Sequence, residues 1–488
     1  MSTAGHSSDV PRARRFPAGF VWGVWTSSYQ IEGAVAADGR GRSIWDVFAH
    51  ADGNVHRGDT GDTACDSYNR MDDDVRLLDD LGVGAYRFSI SWPRVLPQGA
   101  GPINQAGLDY YRRLVERLNQ SGIKPVATVY HWDLPQALED RGGWARRDTA
   151  ERMAELTQVL AQALGDQVGM WATINEPLQS VHQGYRMGTH APGRCDDEAA
   201  AAAIHHLLLA HGYALQALRA TVPAGIPIGP TMDPQPFVAL DDAAAPVADA
   251  LDALHNRVYL DPVLRGSYPF ELRSDMRPTD ELIKDGDMEL ISAPIDFFGV
   301  NYYRPHYIRS GDWSDLRLGE TPVPEHPGFV HYLAPDLDRT VMGWPIVPES
   351  LRDLLLRLHA DSGGLPLYVT ENGCAADDYV TPAGTIEDHD RIAYIHSHLE
   401  AVLEAIDAGV NVAGYFCWSL MDNFEWAEGY RRRFGLHYVE FESGRRIPKR
   451  SAHFYRQLTR SSELPPLVPS PASDGVVPGA QEAAAAVS

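Results

Sequence analysis

Apolar and polar positions follow two alternating patterns along most of the chain. Short apolar runs rich in β-branched and aromatic residues stop abruptly at polar residues, which is typical of buried parallel strands. Stretches with apolar residues every three or four positions follow most of these runs and indicate amphipathic helices. The predicted strands are Phe20–Ser27, Ala85–Trp92, Lys124–His131, Met170–Asn175, Ile226–Met232, Asp296–Tyr303, Pro366–Glu371 and Val412–Leu420. The predicted helices are Asn69–Leu81, Leu108–Gln120, Arg147–Leu164, Ala199–Ala220, Pro348–Ala360 and Asp388–Ala408.

Strands that alternate with helices indicate parallel βα units, and we expect them to close into a single (β/α)8 TIM barrel of the α/β class. Polar and aromatic residues gather where the strands are expected to end: Arg87, Trp92, His131, Trp132, Asp133, Asn175, Glu176, Asn301, Tyr302, Tyr303, Glu371, Asn372 and Trp418. A barrel brings these ends to one mouth, where barrel enzymes have their active sites. No G-x-G-x-x-G motif opens a helix after the first strand, so dinucleotide binding has no support.

The two ends of the chain differ in composition from the middle. Residues 1–15 are small, polar and basic, and residues 461–488 are mostly Ser, Pro, Ala and Val. Neither segment buries enough apolar area to offset the entropy of ordering, so we predict two flexible tails around one barrel at 16–460. Gly311–Pro335 has no period and is predicted to be a long loop.

Charge and cysteine content narrow the classes of function. The 488 residues carry 42 basic and 66 acidic side chains, a net charge of −24, which disfavours nucleic acid and anionic membranes as partners. The four cysteines lie far apart in sequence and indicate neither a disulfide framework nor a zinc site. Residues 1–15 lack the apolar core of a signal peptide, and no apolar run is long enough to span a membrane. We expect a cytoplasmic protein, with its oligomeric state open.

Two glutamates directly follow predicted strands. Glu176 lies in Thr173–Pro177 and Glu371 in Tyr368–Gly373, each beside an asparagine. A carboxylate at the end of an apolar strand is costly unless it is paired or functional. A capping or salt-bridged glutamate is as good an explanation for one such site, but two sites at one mouth favour function.

A pair of carboxyl groups suits cleavage of a glycosidic bond. One group must stay protonated to donate to the leaving oxygen, and the other must be ionised. Arg87 and Tyr303 are placed to keep Glu371 charged, because cations and hydrogen-bond donors lower the pKa of a carboxyl group. Tryptophans near the mouth suit the C–H face of a sugar ring, although a single Trp is more often a core residue. They are Trp132, Trp344, Trp418 and Trp426.

Several segments combine into one recognisable pattern. They are Phe20–Gly23, Ser28–Gly33, Tyr86–Trp92, Tyr130–Pro135, Thr173–Pro177, Asn301–Tyr303, Thr370–Gly373 and Asn423–Trp426. In these segments and in their order the chain resembles glycoside hydrolase family 1, of the bacterial β-glucosidase type. The resemblance extends roughly from Phe16 to Leu458.

The resemblance implies a (β/α)8 barrel and retaining hydrolysis through a covalent glycosyl-enzyme. Glu176 matches the acid/base and Glu371 the nucleophile, supported by Arg87 and Tyr303, and a retaining pair has its carboxyl groups about 5–5.5 Å apart. The implied substrate-binding residues are Gln30, His131, Trp132, Asn175, Asn301, Trp344, Trp418, Glu425, Trp426 and Phe434. The implied partner is a small β-glucoside, with β-galactosides or β-fucosides as further substrates, and no metal or other cofactor.

Two branches of the family are disfavoured by single residues. The thioglucosidase branch has Gln in place of the acid/base, where this chain has Glu176. The 6-phosphoglycosidase branch has Ser, Lys and Tyr where this chain has Glu425, Arg432 and Phe434, and a carboxylate there repels a phosphate.

Two departures from the family pattern lie near the expected pocket. Trp25 stands where a small residue is usual, and Cys374 replaces a usual alanine. We expect Trp25 to change the packing beneath the pocket and Cys374 to be a packed residue rather than a reactive thiol. Aglycone specificity is assigned to two loops, Gly184–Cys195 and Gly311–Pro335.

Three rival functions are weighed against a hydrolase. A metal hydrolase is disfavoured because His205, His206 and His211 lack i,i+4 spacing and no H-E-x-x-H motif is present. A non-catalytic sugar-binding barrel would not need both glutamates. A transglycosylase shares every residue named here and stays open.

Overall fold

The computed structural model describes residues 13–272, 276–317, 320–333 and 335–467. Eight parallel strands close into a barrel, in which each strand pairs with the next along the chain and β8 pairs with β1. The strands are β1 Val21–Thr26, β2 Ala85–Ser89, β3 Lys124–Tyr130, β4 Met170–Asn175, β5 Ile228–Met232, β6 Phe298–Asn301, β7 Leu367–Asn372 and β8 Val412–Trp418. The predicted (β/α)8 barrel is confirmed, with strand ends that shift by up to three residues.

Helices surround the barrel, and the predicted ones agree closely with the structure. The longer helices are Met71–Leu81, Gln105–Gln120, Arg147–Leu164, Asp197–Thr221, Pro348–Asp361, His389–Asp407 and Arg450–Ser461. The shorter ones are Ser28–Ile31, Ile44–Ala49, Trp92–Val95, Gln136–Glu139, Ala245–Asp252, Val258–Arg265 and Asp287–Ile291, with π-helical turns at Gln179–Arg186 and Ala253–Arg257. Over the described residues, none of the helices combines the length and apolar character needed to cross a lipid bilayer.

The Gly311–Pro335 segment is more regular than predicted. Thr321–Pro322 and Phe329–Tyr332 pair as antiparallel strands, and the second pairs with His306–Ser310, which also pairs with Phe237–Ala239. The prediction of a plain loop is therefore wrong over these strands. Short strands such as these are ordered by backbone pairing with their neighbours. Their sequences therefore show no alternation of apolar and polar residues.

The predicted tail boundaries at residues 15 and 461 are also wrong. Arg14–Arg15 pairs antiparallel with Glu463–Leu464, and the last helix continues to Ser461. Composition gives no sign of this pairing, because it exists only where the two distant ends of the chain meet. The rest of both predicted tails, 1–12 and 468–488, lies outside the described residues.

Apolar side chains close the lower end of the barrel. Ala85, Val126, Met170, Phe297 and Phe416 form one buried cluster at the start of the strands and beside them. Gly23 makes room for this cluster, since a Cβ there would lie 2.3 Å from the Phe416 ring. The polar side chains of the barrel are thereby confined to the opposite, carboxyl-terminal end.

A buried ion network holds the chain that follows β8. The Lys449 ammonium is fully buried and donates to Asp378 and Asp422, each at 2.6 Å. Arg391 pairs with Asp378 and Asp388, and Arg433 donates to Asp422 at 2.6 Å. Each buried charge has an opposite partner, which is the condition for tolerating charges in an interior.

Removing the central cation should destabilise the fold. In Lys449→Met, Asp378 and Asp422 lose a buried partner, and we expect a loss of about 3–5 kcal/mol in unfolding free energy. Thermal and urea unfolding measure the change. The matched control is Arg76→Met, whose pair with Asp73 is largely exposed and should contribute less than about 1 kcal/mol. Equal small losses in both variants would contradict the stabilising role of the network.

Candidate active site

A cavity of about 710 Å³ opens at the carboxyl-terminal end of the barrel. Of the residues predicted to form the site, all but Arg87 and Asn175 line this cavity. Those two are buried behind its wall, where they contact residues that do line it. Polar residues at the ends of the predicted strands therefore identify the mouth of the barrel correctly. In the structure most of these residues line the cavity, and Arg87 and Asn175 support them from behind.

Glu176 and Glu371 are linked through one asparagine. The amide nitrogen of Asn301 donates to Glu176 Oε1 at 2.6 Å, and this asparagine also acts as a hydrogen-bond partner that lowers the pKa of Glu371. Thr370 fixes the orientation of the Asn301 amide by donating to its oxygen at 2.8 Å. Both carboxyl groups are buried, and they come from β7 and from the residue after β4.

Glu371 has the stronger set of donors. Tyr303 donates its phenol to Glu371 Oε2 at 2.8 Å, and the Arg87 guanidinium lies 3.4 Å from Oε1. A second Arg87 nitrogen donates to the Asn175 side-chain oxygen at 2.6 Å, and its Nε donates to Thr128. The guanidinium is thus held from three sides in the position that faces Glu371.

Burial and neighbours separate the two carboxyl groups in acidity. Burial raises the pKa of both, and the neighbouring charges of Glu371 and Asp233 raise that of Glu176 further. Arg87 and Tyr303 oppose the rise at Glu371. The carboxyl group with a cation beside it loses its proton first. Glu371 therefore ionises first, and Glu176 keeps its proton.

Trp25 lies beneath this pair as predicted, and it also supports Arg87. The Arg87 guanidinium carbon lies 3.8 Å from the centre of the fully buried Trp25 ring. The indole N–H is close enough to Glu371 to lower its pKa, although it makes no hydrogen bond of good geometry. A cation above an aromatic face in a dry site is stabilised by about 2 kcal/mol, so Trp25 stabilises the orientation of Arg87.

Aromatic rings form one wall of the cavity. Trp426 lies 4.6 Å from Trp132 and 5.6 Å from His131, measured between ring centres. Neither ring nitrogen of His131 has a hydrogen-bond partner in the part of the chain that the structure describes, and burial keeps the pKa of His131 well below the usual value. Neutral His131 can therefore both donate to and accept from a hydroxyl group.

Glu425 and Gln30 add polar groups to this wall. Burial and the charge of Glu371 raise the pKa of Glu425 to about 8, and its Oε2 has no hydrogen-bond partner among the described residues. Gln30 is held by Ser27 and donates to Asn423 and Phe424, which anchor the segment that carries Glu425. An unpartnered carboxyl oxygen in a cavity is a ready acceptor for ligand hydroxyl groups.

A second aromatic group lies on the other side of the carboxyl pair. Trp418 contacts Trp25, with ring centres 5.1 Å apart. Trp344 and Phe434 pack against each other and against Tyr303. Apolar rings therefore flank the carboxyl groups on two sides, which leaves room for a flat ligand with polar edges.

Three cavity residues have backbone conformations that L-residues rarely adopt. Glu176, Trp132 and Trp426 have φ values of 45°, 71° and 49°. Each lies just after a strand or within the loop after β8. Such conformations cost about 1–3 kcal/mol and tend to cluster at functional sites, which agrees with the location of these residues in the cavity.

Several cavity residues were not predicted from sequence. Asp233 directly follows β5, and the strand-end rule applied there would have identified it. Arg304 lies three residues after β6, where the polar run was taken to end at Tyr303. Four histidines also line the cavity: His182, His255, His306 and His331. The first two lie in π-helical turns and the last two in the sheet formed by His306–Ser310 and Phe329–Tyr332, and the sequence gives no signal that places them at the cavity.

The remaining histidine and cysteine candidates have structural surroundings. His205 contacts Asp287 and Tyr268, His206 contacts the Trp144 carbonyl, and His211 contacts Thr173. Cys374 is buried, and burial raises its pKa to about 12, as expected for a packed residue. Within the described ranges, no three His, Cys, Asp or Glu side chains are grouped as metal ligands.

Comparison with known proteins gives consistent results. The family model described as Glycosyl hydrolase family 1 matches residues 12–464. The chain is 43% identical to Beta-glucosidase A of Thermotoga maritima over 92% of this chain and 99% of that protein. It is 47% identical to a Bifunctional beta-D-glucosidase/beta-D-fucosidase of Bifidobacterium breve over 91% and 98% of the two chains.

A solved structure agrees at the level of the fold. The β-glucosidase from Thermotoga maritima in complex with deoxynojirimycin has a TM-score of 0.85 and 42% identity, covering 92% of this chain and 99% of that one. The family match over residues 12–464 includes all eight barrel strands and both glutamates. The chain belongs to glycosyl hydrolase family 1.

Proposed function

We propose that this protein is a retaining β-glucosidase that removes terminal, non-reducing β-D-glucosyl residues from small β-glucosides. The observation that carries the proposal is the unequal environment of two buried carboxyl groups that share Asn301. Glu371 is in direct contact with Arg87 and Tyr303, whereas Arg87 acts on Glu176 only as a more distant charge. Retaining hydrolysis needs one ionised and one protonated carboxyl group. The named relatives, which include β-glucosidases and a glucosidase/fucosidase, support glucosides and β-fucosides as substrates.

In the first step, Glu371 attacks the anomeric carbon of the sugar. A bond forms between its carboxylate oxygen and that carbon, and the bond to the aglycone oxygen breaks. Glu176 donates its proton to the departing oxygen, so the aglycone leaves as a neutral alcohol or phenol. The higher pKa of Glu176 keeps that proton available at neutral pH.

In the second step, water replaces the enzyme at the anomeric carbon. Glu176, now ionised, accepts a proton from the water, whose oxygen bonds to the sugar and releases Glu371 as a carboxylate. Arg87 and Tyr303 again stabilise the charge that returns to Glu371. Two inversions give a product with the anomeric configuration of the substrate.

The cavity wall suits a neutral, unphosphorylated glucose unit. Gln30, His131, Asn175, Glu425 and Trp426 are assigned to the sugar hydroxyls, Trp418 to the ring face and Trp344 to the aglycone side. The buried carboxyl group of Glu425 accepts hydrogen bonds from hydroxyl groups through its unpartnered oxygen. Arg432 does not offer itself to a phosphate, because it already donates to Glu428 at 3.1 Å.

We further propose that the protein acts in the cytoplasm, without a cofactor and without nucleic acid or membrane partners. The net charge of −24 supports the absence of nucleic acid and anionic membrane partners, because it repels polyanions and leaves neutral sugars unaffected. A transglycosylase uses the same residues and differs only in the acceptor of the second step.

Replacing Glu371 tests the chemistry directly. Glu371→Gln removes the nucleophile and should lower kcat on 4-nitrophenyl β-glucoside by at least about 10⁴-fold. Proton NMR of the wild-type reaction should show the β-anomer of glucose first. Glu116→Gln, an exposed glutamate on the helix Gln105–Gln120, is the matched control and should keep full activity.

Two results would contradict the mechanism. Undiminished turnover in Glu371→Gln would exclude the nucleophile, and α-glucose as the first product would exclude retention. Glu176→Gln gives an independent check on the acid. Its loss of activity should be greater with phenyl β-glucoside than with the 2,4-dinitrophenyl compound, whose leaving group does not need a proton.

The dependence of activity on pH should show how Tyr303 affects the pKa of Glu371. Tyr303→Phe removes a hydrogen bond to the charged form, so the pKa of Glu371 rises and the acidic limb of kcat/KM moves to higher pH. Activity at the optimum should fall about tenfold to a hundredfold. The basic limb, which reports Glu176, should move much less. An acidic limb that stays in place would show that Tyr303 does not act on the nucleophile.

A further inference from the structure

The cavity has two chemically different halves. The inner half contains the carboxyl groups of Glu176, Glu371 and Glu425. The outer half contains Arg304, Arg339 and several histidines of the lining, and the Arg304 guanidinium lies against the Trp344 ring. A β-glucoside fills the inner half with its sugar, so the outer half is left to the aglycone.

Arg304 is a half-buried cation with no acidic partner in the described part of the chain. Its guanidinium carbon lies 5.3 Å from the centre of the Trp344 ring. Most arginines of this acidic protein are paired with carboxylates. A partly desolvated guanidinium without a carboxylate is unusual, because its charge has lost water without gaining a counter-ion.

A second arginine lies close to Arg304. Burial and the nearby Arg339 lower the pKa of Arg304 to about 10, so Arg304 remains charged at neutral pH. Arg339 donates to the Gly343 carbonyl at 2.8 Å. A charged guanidinium that lines a cavity and has no carboxylate partner among the described residues favours an anionic ligand there.

The acids around the outer half do not supply that anion. Glu325 pairs with Arg186 at 2.7 Å, Asp233 accepts from Gln179 at 2.7 Å, and Glu428 pairs with Arg431 and Arg432. The nearby histidines are neutral, because burial lowers the pKa of His182 to about 4 and holds those of His255 and His306 well below the usual value. Among the residues that the structure describes, the acids nearest to the outer half are therefore already engaged, and the charge of Arg304 is left without a carboxylate.

The position of Arg304 defines the shape of a matching ligand. Arg304 follows Tyr303 directly, and Tyr303 donates to Glu371. An anionic group directly beside the glycosidic oxygen would be repelled by the carboxylate of Glu371. A flat spacer between that oxygen and the anion avoids the repulsion and fits against Trp344, Phe237 and His306, which line the same part of the cavity.

We propose that the outer half of the cavity is an acceptor subsite for an aromatic aglycone that carries a carboxylate, with the carboxylate paired to Arg304. The inference rests on the proposed β-glucosidase activity and specifies its substrate class. Arg304 acts here as a specificity residue, since it binds the aglycone and takes no part in the proton transfers.

A pair of substrates that differ only in charge tests the proposal. The substrates are 4-carboxyphenyl β-glucoside and 4-carbamoylphenyl β-glucoside, which have the same shape. Wild type should prefer the carboxylate by about tenfold in kcat/KM, the size expected for one charge-assisted hydrogen bond. Arg304→Gln should abolish this preference, whereas Arg304→Lys should keep most of it. The preference should also shrink as sodium chloride rises.

The controls separate this proposal from the proposed function. The preference is measured in each variant as the ratio of kcat/KM for the two substrates, so that a general loss of activity in Arg304→Gln, which lines the cavity, cancels out. Arg113→Gln, an exposed arginine on the helix Gln105–Gln120, should leave both activities unchanged. A wild type without preference for the carboxylate, or an Arg304→Gln variant that keeps it, would overturn the subsite. Wild type inactive on every β-glucoside would instead overturn the proposed function.

Discussion

Two carboxyl groups buried next to each other repel when both are charged, and the architecture of the site follows from this constraint. Arg87 is the group that relieves it, because its cation lies 3.4 Å from Glu371 and acts on Glu371 more strongly than on Glu176. Burial alone would raise the pKa of both glutamates together and leave them without distinct roles. The guanidinium must therefore be oriented, and the stacking on Trp25 and the bond to Asn175 provide that orientation.

The barrel supports this arrangement by bringing distant segments of the chain together. Asn175, Asn301 and Glu371 end three strands that are far apart in sequence, and parallel pairing holds these ends at one level. The apolar cluster around Phe416 closes the lower end, so the polar groups have no second route to solvent. Above the strands, Asp422 and its buried cations hold the segment that leads to Glu425.

The predictions from sequence were right for residues whose role follows from their position at the end of the strand that carries them. Glu176 and Glu371 were found because each interrupts an apolar run at its end. The predictions failed where order arises from pairing between remote segments, as for Arg14–Arg15 with Glu463–Leu464 and for the strand Phe329–Tyr332. Arg304 was missed for a related reason, since an arginine in a loop is ordinary until its neighbours are known to include no carboxylate.

The sequence by itself determined the barrel, the carboxyl pair and the aromatic set at its mouth, because periodicity and strand-end polarity are local properties that the chain carries in its order. Only the tertiary structure decided how Arg87 is held against Glu371 and what surrounds the aglycone. Acidity depends on burial and on the distance to charges such as Arg87, and the positive outer half depends on which acids, such as Glu325 with Arg186, are already paired. Both depend on how distant segments of the chain are arranged in space, which the order of residues along the chain does not show.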